Sequence, residues 1–429
     1  MPNYYIRLTP SDKIKELRKL RNYTQESLAQ VLGCTKTKIS RAESGEHEYS
    51  DEEIVKLKVF FDIKNAPFTE IEHISFKQQL YNWKDLIRNG YTEVARRNQS
   101  EHSVVSKLPF EPELSMLYKM FEIRLILKES KPDLAEEMLM AEKAHIENAS
   151  RENQHHFYYN MGSVHLYRHD FKRALRCYKK ALDLEGYTLK KDIGLYLNLS
   201  MCYGELGKYV MAISILEKTF QEFSSQICLM SGYINNLLGI NYVRIGQTTR
   251  AKQLFDKSLL EIANGDHKLY SYMTLHNYGC AHFREKNYEK AIERFDEALA
   301  SYDKVDRNYF ENMYYRVRCY IALKNTSKAQ HLIVQTMNLL EGNERYLLAF
   351  ESLSRLLTIK NDISIEFIEK NTIPYFIEKR EYFKALDYCE QLESVFSKRE
   401  KGFKIRLLEI SSTARDILQD MTLGEEVSD

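Results

Sequence analysis

An alanine recurs along most of this chain at an almost fixed interval, and no other feature limits the fold so tightly. Ala95, Ala135, Ala174, Ala212, Ala251, Ala291 and Ala329 stand 38 to 40 residues apart, with an aromatic or aliphatic residue four positions further on in the clearest units. A period of this length means that one supersecondary unit repeats and that each unit completes its core on its neighbours. Several units also carry a first-helix pattern ahead of the alanine. Tyr158-Tyr159-Asn160-Met161-Gly162 precedes Ala174, and Leu237-Leu238-Gly239 with Tyr242 precedes Ala251. His276-Asn277-Tyr278-Gly279 precedes Asn287-Tyr288-Glu289-Lys290-Ala291, which Phe295 and Ala298 follow. Small residues let the two helices of a hairpin cross closely, and the aromatics fill the gap to the next hairpin. The expected fold is all-α, a stack of helical hairpins. Seven prolines and sixteen glycines in 429 residues suit it.

The first sixty residues follow another pattern. Thr9-Pro10-Ser11-Asp12 opens a helix, with a hydroxyl that can cap it and a proline at the first helical position. Ile14, Leu17 and Leu20 mark its apolar face. Thr24 caps a short second helix whose Leu28 and Val31 point inward, Gly33 ends it, and a third begins at Thr35. Two short helices joined by so tight a turn form a helix-turn-helix. Ser50-Asp51-Glu52-Glu53 is a capping box for a fourth helix through Ile54, Leu57 and Phe60-Phe61. Net charge over the whole chain is only +1, yet residues 13 to 41 hold eight Lys or Arg against Glu16 and Glu26. Residues 42 to 53 hold six acids and no Lys or Arg. A basic face beside an acidic one orients a domain on phosphate.

The run TQESLAQVLGCTKTKISRAESG resembles the helix-turn-helix of the Cro/C1 or Xre repressor class. The resemblance implies that the helix from Thr35 to Glu43 enters the major groove, with Lys36, Thr37, Lys38 and Arg41 on its solvent face and Ile39 turned inward. Lys36, Thr37 and Arg41 are the expected readers of base edges. Gln25 matches a family position that braces the backbone and the recognition helix, and Thr24, Thr35 and Ser40 complete the expected DNA-contacting set. The repeats, over about residues 75 to 340, resemble the tetratricopeptide repeat, at a period four to six residues longer than is usual there. That implies a right-handed superhelical solenoid. An Xre-like domain ahead of such stretched repeats resembles the RRNPP-type quorum-sensing regulators. The expected division is residues 1–66 for DNA binding and 67–429 for peptide sensing and oligomerisation, with degenerate capping helices from about 341. Those would include Tyr346 to Leu357, Ile363 to Ile368, a unit at Tyr382-Phe383-Lys384-Ala385, and a last helix from Phe403 to Leu418.

In such a stack the first helix of each hairpin lines a concave groove. Two positions before the small residue stand Asn160, Asn198 and Asn277, with Asn235 and Asn236 slightly out of register. An asparagine amide offers a donor and an acceptor together and so matches a peptide unit. In the resembled family such asparagines hold a peptide backbone. Arg244, Arg284 and Arg318 would take a carboxylate, and Tyr159, Tyr314 and Tyr315 would form side-chain pockets. The competing expectation is that these asparagines bond only the neighbouring hairpin.

The chain has no phosphate-binding, dinucleotide-binding, nucleophile-elbow or zinc-protease motif. His165 and His169 have metal-ligand spacing on one predicted helix, without a cluster to complete a site. No enzyme, cofactor or metal is expected. The seven cysteines are scattered with no CxxC pair, and no apolar run reaches membrane-spanning length, so a reducing cytoplasmic setting is expected. The preferred expectation is a transcriptional regulator that binds a double-stranded operator as a homodimer and answers to a short linear signalling peptide. The alternative is a repeat-based interaction scaffold or response-regulator antagonist that reads no DNA.

Overall fold

Capping side chains set the helix starts at the N-terminus. In this computed structural model, residues 8–223, 228–262, 268–301, 305–340, 343–357, 362–379 and 382–396 are described, with positions 409 and 412. Apart from those two positions, the helix expected from Phe403 to Leu418 lies outside the described residues. Helix α1 (Pro10–Leu20) begins with a capping box: the Asp12 backbone N–H donates to Thr9 Oγ1 (3.2 Å), and Thr9 N–H donates back to the Asp12 carboxylate (3.1 Å). Helix α2 (Gln25–Leu32) is capped by Thr24 and ends at Gly33, whose φ of 66° is the left-handed turn that glycine takes at least cost. Two residues on, Thr35 caps α3 (Lys36–Glu43), and the Ser50/Glu53 box starts α4 (Asp51–Phe60). Ile14, Leu17, Leu28, Ala29, Ile39, Ala42, Leu57 and Phe61 form the small core that fixes α2 against α3.

The described residues fall into two compact bodies. The described residues of 1–167 and 176–191 make up the first, and those of 168–175 and 192–429 the second. In the first, the core that starts at Ile14 runs without a break to Val164. It takes in α5 (Glu70–Arg88), α6 (Thr92–His102), α7 (Pro112–Lys128), α8 (Pro132–Ile146) and α9 (Arg151–Tyr167). Trp83 lies at its centre, 1% exposed, stacked 5.5 Å from Tyr118 and donating to the Ala95 carbonyl (2.8 Å). The later part of α10 (Phe171–Asp183) packs Tyr178 against α9.

The second body continues the hairpins as α11 (Ile193–Glu205), α12 (Tyr209–Phe223), α13 (Cys228–Arg244), α14 (Thr248–Ile262), α15 (Lys268–Arg284), α16 (Tyr288–Ser301), α17 (Arg307–Ala322) and α18 (Thr326–Met337). All seven landmark alanines are 0% exposed, as a close helix crossing requires. In the units of Ala174, Ala251 and Ala291 the glycine of the first helix receives the ring four positions after the alanine. A Cβ built on Gly279 would lie 2.5 Å from Phe295, and one on Gly239 2.5 Å from Phe255. The units of Ala135, Ala212 and Ala329 bury the aliphatic Leu139, Leu216 and Ile333 at that position, and the first has Gln99, whose Nε2 donates to the Tyr118 hydroxyl (3.2 Å). Polar side chains tie successive hairpins at the same interval. Tyr167 donates to the Leu127 carbonyl (2.7 Å) in the first body, and Arg244 to the Gly204 carbonyl (2.7 Å) in the second.

Beyond α18 the register changes. After α19 (Glu344–Leu357) and α20 (Asp362–Phe367), a π-helical turn over Ile368–Thr372 runs into α21 (Ile373–Glu378). Pro374 explains it, because a proline inside a helix has no N–H to donate and crowds the carbonyl one turn back. Helix α22 (Tyr382–Phe396) then buries Ala385, Tyr388, Cys389 and Leu392 completely.

Candidate DNA-reading face and inner-helix site

Helix α3 presents Lys36, Thr37, Ser40 and Arg41 to solvent, while Ile39 and Ala42 hold it to the core. Lys36 meets Glu26 at 3.0 Å and Arg41 meets Glu46 at 4.0 Å, but all four side chains are more than half exposed. Such pairs are screened and worth little, so both cations remain available to a stronger anion. Lys38 is different. Its Nζ donates to Glu53 Oε1 at 2.5 Å, tying α3 to the start of α4, while the side chain stays 37% exposed. Thr24 and Thr35 are exposed and act as helix caps.

Beneath α3 lies a hub that the charge pattern did not reveal. Arg18 holds Glu43 with two bonds, Nε to Oε1 (2.6 Å) and Nη2 to Oε2 (2.8 Å). Gln25 Nε2 donates to the same carboxylate (2.9 Å), and Lys15 Nζ to the Glu43 carbonyl (2.9 Å). Gln25 therefore braces the C-terminal end of α3 from the start of α2. Burial alone would raise the Glu43 pKa, but the bonds from Arg18 and Gln25 hold it below the ordinary carboxylate range. The eight basic residues counted between 13 and 41 do not form one outward face. Lys13 and Arg18 turn inward onto Glu111 and Glu43, while Lys19, Lys36 and Arg41 point out.

The residues expected to hold a peptide divide between the two bodies. Tyr159 and Asn160 belong to the first. Asn160 is 0% exposed and donates to the Met120 carbonyl (2.8 Å), a bond to the neighbouring hairpin, while its Oδ1 is buried without a partner. The ring of Tyr159 is covered by the Arg124 guanidinium at 3.7 Å. The second body holds the rest. Asn198 lies half-buried on α11. Across successive first helices, Asn277 Nδ2 donates to Asn236 Oδ1 at 3.1 Å, and Asn236 Nδ2 is buried with no acceptor. Asn235 instead donates to Glu261 (3.0 Å).

Two of the three expected carboxylate-binding arginines already hold a carboxylate. Arg244 pairs with Glu205 (2.6 Å), and Arg318 grips both oxygens of Asp387 on α22 (2.5 and 2.8 Å). A ligand carboxylate would have to displace those partners. Arg284, one repeat after Arg244, is exposed; Ile245 stands where the Arg244 site has Glu205. Tyr314 is 1% exposed, and Tyr315 packs against His276, Phe283 and Phe295 at 5.7, 5.6 and 6.0 Å. Burial chiefly pushes the His276 pKa down to about 4. Nearby, Glu311 accepts from Lys384 (2.8 Å), Arg345 (2.9 Å) and the Tyr346 hydroxyl (3.1 Å). Burial opposes ionisation there, but those cations keep its pKa far below normal. His165 and His169 do not share a helix face, since α9 ends at Tyr167 and His169 sits in the turn at a φ of 57°. Among the described residues, no three His, Cys, Asp or Glu converge as metal ligands, and no helix is long and apolar enough to cross a membrane.

Comparison with known proteins agrees with this geometry. Residues 14–64 match the helix-turn-helix family model, and residues 155–186, 193–219 and 231–304 match tetratricopeptide-repeat models. No curated protein sequence matches the chain. Among solved structures, the apo form of the quorum sensor NprR from B. thuringiensis superposes with a TM-score of 0.64 at 19% identity, covering 82% of this chain and all of that one. NprR in complex with its cognate peptide NprX gives 0.59 at 20% identity, over 76% and 98% of the two chains. A Rap protein complexed with competence and sporulation factor gives 0.70 at 13% identity, over 81% and 99%. None of these families or structures is described as an enzyme. The chain is therefore an all-α protein in which a helix-turn-helix domain precedes tetratricopeptide repeats folded like those of NprR and Rap, the architecture of the RRNPP type that its sequence resembles.

Proposed function

We propose that the chain is a DNA-binding transcriptional regulator of the RRNPP type, which reads a double-stranded operator with α3 and is controlled by a short linear peptide held on its repeats. For DNA, the support is an exposed Lys36, Thr37, Ser40 and Arg41 on a helix clamped from below through Glu43. Lysine and arginine suit the acceptors of guanine, and the threonine methyl suits thymine.

For the peptide, the observation that carries the reading is the Asn236–Asn277 pair. One amide bridges two successive first helices and leaves the Asn236 Nδ2 donor buried and unpaired. An unmet buried donor is costly, and a peptide carbonyl would satisfy it. NprR and Rap have each been solved with a peptide or signalling factor bound, which fits the same use. The regulator acts as a homodimer in the cytoplasm, and the peptide favours one dimer geometry over the other, changing how the two recognition helices meet paired half-sites.

The groove is tested with a pooled library of short synthetic peptides and affinity-selection mass spectrometry. The full chain should retain a defined subset, and Asn277→Ala should lose it while costing less than about 2 kcal/mol of stability. A variant that unfolds outright would assign Asn277 to packing alone. One that retains the same peptides would remove it from the site.

A further inference from the structure

The connector between the fourth helix and the repeats is a buried joint rather than a loose tether. Ile63, Ala66 and Phe68 are at most 3% exposed. Two lysines of the helix-turn-helix domain reach into it. From α1, Lys13 Nζ donates to Glu111 Oε1 (2.7 Å) and to the Pro67 carbonyl (3.3 Å), between the rings of Phe110 (5.2 Å) and Phe68 (5.9 Å). Both side chains of this pair are nearly sealed, at 9% and 7% exposure. The second Glu111 oxygen lies 3.0 Å from His73 Nδ1 on α5. From α4, Lys58 Nζ donates to Glu72 (2.7 Å) and lies 5.0 Å from the Phe68 ring. The other Glu72 oxygen accepts from the Phe68 and Thr69 backbone N–H groups (2.8 and 3.0 Å). Opening the joint would bring the buried Ile63, Ala66 and Phe68 side chains into water, so apolar burial favours the closed state and the Lys13–Glu111 pair fixes its register.

We infer that Lys13, Glu111 and His73 are positioning residues for DNA reading: they lock the recognition helix to the first repeats, so that α1–α8 move as one rigid lever and the repeats, not a tether, set where α3 points. The functional half of this inference rests on the DNA-reading proposal; the mechanical half does not. A rigid lever holds the two reading helices of a dimer at a fixed separation, so the spacing between half-sites becomes part of the recognised sequence.

The mechanical half is tested by NMR relaxation on the full-length chain. Amides of residues 10–60 should show the same rotational correlation time as those of α5–α8. In Lys13→Glu, which opposes two carboxylates, their correlation time should fall several-fold while the helical chemical shifts persist. The charge-swapped pair Lys13→Glu with Glu111→Lys should restore the slow value. Faster tumbling of this segment in the unaltered protein, or no change in Lys13→Glu, would overturn the joint. The functional half is read by selecting binding sites from random duplex DNA. The unaltered chain should enrich paired half-sites at one spacing, Lys13→Glu several spacings, and the swapped pair one spacing again. Loss of stability alone would lower yield without broadening spacing. Equal spacing tolerance in all three would refute the positioning role, and failure of the unaltered chain to enrich any sequence would refute DNA reading while leaving the NMR result to decide the joint.

Discussion

Gly162 offers the sharpest test of why these hairpins pack as they do. A methyl group placed there would lie 2.7, 2.8 and 3.0 Å from three atoms of the Tyr178 ring. The ring has nowhere to go: it is 0% exposed, its hydroxyl is 3.0 Å from Ser163 Oγ, and Tyr159 flanks it at 5.8 Å. Overpacking of this kind costs about 1–3 kcal/mol. Against it stands the better helix propensity of alanine in α9, about 1 kcal/mol. With three ring atoms at or under 3.0 Å the overpacking lies at the upper end, about 2–3 kcal/mol, so Gly162→Ala should destabilise the first body by a net of about 1–2 kcal/mol. Urea unfolding followed by Trp83 fluorescence measures it, since Trp83 is the single tryptophan and lies in that body's core. Gly186→Ala is the control: nothing lies within 4 Å of the added methyl, and stability should change by less than about 0.5 kcal/mol. On a Tyr178→Leu background the sign should reverse, with Gly162→Ala gaining up to about 1 kcal/mol from propensity alone. A Gly162→Ala chain as stable as the parent, or a loss that survives Tyr178→Leu, would refute the claim that the small residue exists to seat the ring.

Two further outcomes follow from the buried charges. Glu43→Ala should lower the stability of the helix-turn-helix domain by roughly 3 kcal/mol, seen as faster amide exchange in α1–α3, because Arg18 is left desolvated; a paired Arg18→Met and Glu43→Met change should cost less. His276 should stay neutral down to about pH 4 when its ring proton is followed by NMR. The unfolded chain takes up that proton near the ordinary value of about 6.5, so stability falls as pH drops from there towards 4, and a titration midpoint at or above 6 would contradict the burial.

What the sequence made legible was whatever repeats or lies close in the chain. The alanine interval, the ring four residues on and the small residue before it all recur, and the structure seats Phe295 against Gly279 with Ala291 fully buried. Caps at Thr9, Thr24, Thr35 and Ser50 are local too, because each depends on the three residues that follow. Pairings across long separations left no such trace. Arg18 with Glu43, Lys13 with Glu111 and Arg318 with Asp387 are 25, 98 and 69 residues apart, and nothing periodic links them. The sum of charge between 13 and 41 therefore overstated the outward basic face, and the arginines assigned to a ligand carboxylate were partly occupied by the chain's own. The Lys13–Glu111 and Lys58–Glu72 pairs, which link residues on either side of position 66, left no trace in composition for the same reason. The π-helical turn could have been anticipated from Pro374, a helix breaker within an otherwise helical run.

The central claim, that α3 reads DNA, is tested most directly by site selection from random duplex DNA with the full-length chain and with Lys36→Ala, Thr37→Ala and Arg41→Ala combined. These three side chains are exposed and lie outside the core, so the fold and the peptides retained by the repeats should not change. The unaltered chain should enrich a defined sequence and the triple variant none. Enrichment of the same sequence by both would contradict the assignment of α3 as the reading helix.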